Sequence, residues 1–126
     1  MQSLIGVWKL VEARTFDDAG HELPPPLGSQ PMGIALFEAD RMVAVAGDAR
    51  VSVPPEGPPR SFIAYTGTYR LNGDVFVTYA DDASKPDLIV AQVRRVKFDG
   101  PNRMMVVPVS GAPGYNGVNF VWERIS

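Results

Sequence analysis

No cysteine occurs in this chain of 126 residues, so a disulfide framework and a thiolate zinc site are both excluded. Histidine is almost as scarce, with His21 alone. A Ser-His or Cys-His catalytic arrangement would have to recruit that one residue. It lies in the polar stretch from Asp17 to Glu22, where an exposed loop role is expected. His21 and Glu22 together are too small a donor set for a metal; haem-binding barrels usually need a His axial ligand, and nothing points to a Tyr in that role. Lys and Arg never form a run, and the net charge is only −2. Nucleic acid and anionic membranes are therefore not expected partners. No apolar run reaches the length of a membrane-spanning helix, about 18 residues. No Gly-rich phosphate loop opens a helix, so nucleotide-fold signatures and the cofactors they hold are missing. Met1-Gln2-Ser3-Leu4-Ile5 lacks the basic region and long apolar run of a secretory leader, which makes the cytoplasm the expected location. Helical periodicity is missing too, because no long segment free of Pro and Gly repeats its apolar residues at 3.6 spacing.

What the chain does have is punctuation. Twelve prolines and twelve glycines fall between short β-rich runs. The runs cover residues 4–16, 33–38, 41–46, 61–71, 75–80, 87–98, 103–109 and 118–125, with residues 50–53 as a candidate extension of the third. Leu23-Pro24-Pro25-Pro26-Leu27-Gly28 reads as a stiff extended connection, since proline donates no ladder hydrogen bond. Asn72-Gly73 is the strongest turn signal and predicts a type I′ hairpin with positive φ at both residues. Asp81-Asp82 reads as solvated loop. Eight strands in chain order and no helix predict one all-β domain over residues 1–126, an eight-stranded antiparallel up-and-down barrel. Closure removes exposed sheet edges, and at this strand number the interior is either filled or holds one small ligand.

The ends of the chain carry the barrel's signature. Gly6 and Trp8 on the first strand and Arg124 on the last can close the base, with the guanidinium stacked on the indole. Such a contact contributes about 0.5–2 kcal/mol. Alternation then assigns faces. Ile63, Tyr65, Gly67, Tyr69 and Leu71 read as interior. So do Leu88, Val90, Gln92, Arg94, Val96 and Phe98, and so do Val118, Phe120, Trp122 and Arg124. If Trp8 points inward, strict alternation carries Leu10, Glu12, Arg14 and Phe16 with it. The predicted ligand site is therefore Leu10, Glu12, Arg14, Tyr65, Tyr69, Gln92, Arg94 and Phe120: apolar walls with a few orienting polar groups. Arg94 has two readings. It neutralises Glu12 inside the barrel, or it grips a ligand carboxylate or phenolate. Tyr65 and Tyr69 can be core aromatics or ligand contacts. Of Met104 and Met105, one faces in as gap filler or adaptable wall. For proton transfer the one constellation to name is Glu12 with Tyr65 or Tyr69.

Several segments in order resemble the lipocalin-like domain proteins of the calycin type found in bacteria and fungi. They are Leu4-Ile5-Gly6-Val7-Trp8-Lys9-Leu10-Val11, the Leu23 to Gly28 segment, Ala64-Tyr65-Thr66-Gly67-Thr68-Tyr69 with Asn72-Gly73-Asp74, Gln92-Val93-Arg94-Arg95 and Val121-Trp122-Glu123-Arg124. The resemblance implies a barrel with a central cavity, no resident cofactor and no transferable activity. The chain departs from it in two places. Only Pro54 to Pro59 stands where relatives often carry a helix, and Thr78-Tyr79 stands where they often carry a His pair. Three functions follow as expectations: a barrel that binds a small apolar or amphipathic molecule, a cofactor-independent isomerase or cyclase, or a filled barrel that meets a partner through its Pro-rich loops. A symmetric homodimer is the commonest assembly open to such a chain.

Overall fold

The computed structural model describes residues 3–50, 52, 55–56, 60–86, 89, 91–111 and 117–126. Among them run eight strands: β1 (Gly6–Thr15), β2 (Pro31–Phe37), β3 (Arg41–Asp48), β4 (Phe62–Asn72), β5 (Val75–Ala83), β6 (Ala91–Phe98), β7 (Arg103–Pro108) and β8 (Val118–Arg124). Each pairs antiparallel with its chain neighbours, and β8 pairs with β1 to close the barrel. The predicted all-β up-and-down barrel is the observed fold. Leu88 and Val90, two of the residues read as interior, lie outside the described residues, as does most of the Pro54 to Pro59 loop. Residues 51 and 53 of the candidate third-strand extension lie there too. That strand ends at Asp48, and Arg50 folds back onto the Asp48 carboxylate.

The topology sorts the connections by end. The turns β2–β3, β4–β5 and β6–β7 are short and share one end with both chain termini. The four longer connections leave from the other end. The β4–β5 turn differs from its prediction. Asn72 pairs with Val75 as the last strand positions, so the central residues are Gly73 and Asp74. Gly73 has φ of 63° and no non-glycine residue among those described has positive φ, which fits a type II′ turn with Gly first.

Two bulges set the side-chain phase. On β1, Leu10 faces Trp122 and Glu12 faces Val121, so Val11 is an extra residue. Ala13 then takes the buried position that strict alternation gives to Glu12. On β5, Asp82 faces Thr66 and Ala80 faces Gly67, with Asp81 extra. Asp81-Asp82 is thus part of a strand and not loop; Asp81 is exposed, and both its carboxylate oxygens accept from Arg41 Nη2, at 2.8 and 3.0 Å. Gly67 is required at this bulge, because a Cβ there would drive into the Tyr79 carbonyl.

On β1, β2 and β3 the inward residues shrink from the short-turn end to the long-connection end. Along β1 they run Trp8, Leu10, Ala13; along β2, from the same end, Phe37, Ala35, Gly33; along β3, Met42, Ala44, Ala46. Large rings fill the base and small side chains leave room above it.

Candidate functional site

The base is solid. Trp8 is 0% exposed, and its Nε1 donates to the Leu4 carbonyl at 2.8 Å. The Arg124 guanidinium lies 4.2 Å above the indole, as predicted. Arg124 also donates to the carbonyls of Ser3 (2.7 Å), Ile5 and Pro101 (3.1 Å), which ties the N-terminal segment to the β6–β7 turn. Gly6 has φ of +135°, and a Cβ there would lie 2.5 Å from the Ser126 carbonyl oxygen. Only glycine accepts that backbone at that distance. Above this layer Phe37 meets Tyr69 edge-on at 5.0 Å and Phe76 at 5.8 Å.

A cavity of about 50 Å³ sits over the aromatic layer. Its small-residue wall is Ala35, Ala44 and Ala46; Met42, Met104 and Phe120 supply the adaptable and aromatic surface. Tyr65, Gln92 and Arg94 bring the polar atoms. The predicted interior faces of β4 and β8 stand, and so does that of β6 over its described residues. Of the predicted site residues, Tyr65, Gln92, Arg94 and Phe120 converge on this cavity. Met104 faces in and is buried while Met105 is exposed.

The others do not converge. Leu10 is buried in the core but does not line the cavity. Glu12 and Arg14 are corrections. The Val11 bulge turns them out of the lumen, where Arg14 Nε lies 3.7 Å from Glu12 and 3.8 Å from Glu22. Phe16 is exposed for the same reason. Two adjacent apolar residues, Leu10-Val11, followed by Ala13 in the buried phase, were the signal for that bulge. Tyr69 also leaves the site: its hydroxyl donates to the Glu38 carbonyl at 2.5 Å near the β2–β3 turn. Burial, with Asp40 and Glu38 nearby, pushes its titration upward. Glu12, Tyr65 and Tyr69 are therefore not brought together, and the proton-transfer constellation does not form. His21 behaves as predicted: it is exposed in its loop, with Nδ1 3.3 Å from Asp17. Among the described residues no cluster of His, Asp or Glu could hold a metal ion.

The electrostatics of the cavity are one-sided. Arg94 is only 7% exposed, and it is the cavity's one charged lining residue among those described. The predicted internal pair with Glu12 is absent because Glu12 faces out. Arg94 Nη1 donates to the Tyr65 hydroxyl at 3.2 Å, and Arg94 Nε meets no acceptor among the described residues. Thr78 was passed over by the sequence reading. It faces Gln92 across the β5–β6 register, is 1% exposed, does not line the cavity, and its hydroxyl has no partner among the described residues.

At the long-connection end a second charged group is fully satisfied. Buried Asp48 receives Arg50 Nε at 3.0 and 2.9 Å, and Arg60 donates to the Asp48 carbonyl at 3.1 Å. The Arg50 hydrogen bonds hold the Asp48 carboxyl below the usual carboxylate range. Gly28 packs against this carboxylate, and neighbouring Leu27 is buried, so the proline-rich connection anchors in the core. That segment ends in a turn, with Gly28 N donating to the Pro25 carbonyl at 3.1 Å. Comparison of the chain with family models, with curated proteins and with solved structures finds no match.

Proposed function

We propose that this chain is a lipocalin-like barrel that binds one small apolar or amphipathic molecule in its lumen. One observation carries the reading: the interior tapers from a packed aromatic base to a cavity walled by Ala35, Ala44 and Ala46. A void of about 50 Å³ costs roughly 1 kcal/mol in an apolar core. Longer inward side chains at the alanine positions would remove that cost. A ligand that fills the space recovers it on binding. Apolar walls with a few convergent polar groups are the usual make-up of such sites.

The methionines provide the test. Met42 and Met104 line the cavity, while Met32 and Met105 are exposed on the outside. With 13C-methyl methionine, titration with 1-hexanol is expected to shift Met42 and Met104 to saturation at one equivalent and to leave Met32 and Met105 in place. Equal movement of all four, or of none, would mean that the lumen takes no ligand.

A further inference from the structure

We infer that the lumen is selective for an anion: its ligand is a small amphiphile whose carboxylate sits on Arg94, with Tyr65 as a further donor. The inference rests on the binding reading above and names the ligand class for that same cavity.

A guanidinium keeps its positive charge in proteins. A buried charge needs a partner, because its desolvation costs several kcal/mol. Several charges of this barrel have one: Asp48 has Arg50, and on the surface Arg41 has Asp81, Arg95 has Asp74 and Arg103 has Glu123. Among the described residues Arg124 has no carboxylate but satisfies its donors on an indole and three carbonyls. Among the same residues Arg94 has a phenol as its partner and an Nε–H without an acceptor. The neighbouring residue on the same strand, Arg95, faces outward and is neutralised, so the contrast arises from strand phase.

The neutral hydroxyl beside Arg94 is also a donor. The Tyr65 hydroxyl accepts from Arg94, which leaves its own proton to give. Phe76 faces Arg94 in the β5–β6 register and belongs to the aromatic layer beneath. A buried cation with a phenolic donor beside it, and no carboxylate lining the cavity among the described residues, matches an oxyanion. The apolar remainder, Met42, Met104 and Phe120 among them, matches a short hydrocarbon body. The cavity volume sets the scale: about 50 Å³ takes the carboxylate and first carbons of a ligand, so the rest of a six-carbon body must lie outside it.

The test compares hexanoate, 1-hexanol and acetate at neutral pH by the same methionine shifts. In the wild type, hexanoate is expected to bind about tenfold or more tightly than 1-hexanol, since hydrogen bonds to a charged group are the stronger kind. Acetate should bind more weakly than hexanoate for want of a body. Arg94→Met should abolish the preference for hexanoate and keep 1-hexanol binding. Tyr65→Phe removes a single hydroxyl and should weaken hexanoate several-fold with 1-hexanol unchanged. It also serves if Arg94→Met does not fold. Equal affinity of hexanoate and 1-hexanol for the wild type overturns the anion inference and leaves the binding reading standing. No saturable shift of Met42 or Met104 with either compound overturns the binding reading itself. Acetate equal to hexanoate would mean a bare anion site and would overturn the amphiphile.

Discussion

The two ends of this barrel are built on the same alternation and do opposite things. At the short-turn end the inward positions carry Trp8, Phe37, Met42, Phe76, Met104 and Trp122, all buried. Toward the other end, β1, β2 and β3 carry Ala13, Ala35, Ala44 and Ala46 inward, while Gln92 and Arg94 of β6 face the cavity, Arg94 opposite Phe76. Along β1, β2 and β3 the difference between the ends is side-chain volume. Large rings make a floor, and small residues above it make a cavity. Charge follows the same division. At the base Arg124 is spent on an indole and three carbonyls; in the lumen Arg94 keeps donors in reserve.

The largest effect should come from removing the floor. Trp8→Ala is expected to cost about 3–5 kcal/mol, the range for emptying a buried aromatic site. That is a large share of the roughly 5–15 kcal/mol that holds a domain together. The Arg124 stack would go with it. Urea unfolding gives the number. A cost under about 1 kcal/mol would mean that the base is not where packing energy is concentrated, and the contrast between the ends would fail.

Much of this was legible beforehand because period and punctuation are local properties. The eight runs, the closing Trp8–Arg124 pair and the interior phases of β4 and β8 follow from alternation alone. The site residues Tyr65, Gln92, Arg94 and Phe120 came from the same rule. Glu12 and Arg14 failed at Val11. A bulge is a property of two strands in register, and strict alternation along one strand carries no memory of its partner. One unread residue sent Glu12 and Arg14 to the wrong side and with them both the expected ion pair and the expected catalytic group. The turn type failed for a related reason. Asn72-Gly73 is a strong hairpin signal, but register decides which two residues are central, and here pairing places Asn72 in the strand. Thr78 escaped because a lone threonine in a strand is unremarkable until its hydroxyl is found buried without a partner.

The pairing at the long-connection end gives a smaller effect with a definite sign. Asp48 is held below its ordinary carboxyl value of 3.8, chiefly by the Arg50 hydrogen bonds. A carboxyl with a depressed folded value stabilises the fold fully above its unfolded value. That contribution is lost as pH falls through the folded value. Asp48→Asn should therefore lower the urea midpoint at neutral pH. The two proteins should converge as pH falls through the folded value of Asp48, below which both positions are uncharged. A constant difference across that range would mean that Asp48 acts through the shape of its site, against Gly28, and not through its charge.

The smallest effect on stability is expected where the two ends differ most in spare volume. Ala44 lines the cavity and neighbours Ala35 and Tyr65 in register. Ala44→Val adds two methyl groups to space that the floor does not have. In a packed core such an insertion costs about 1–3 kcal/mol through displaced rotamers. In a cavity each buried carbon recovers roughly 0.8 kcal/mol, which offsets whatever adjustment remains. The net change should therefore stay within about 1 kcal/mol of zero. Affinity for 1-hexanol, which competes for the same space, should fall. The two readouts must move apart. A variant that loses stability and keeps its affinity would place the spare volume somewhere other than beside Ala44, and the taper from ring to alanine would no longer account for the cavity.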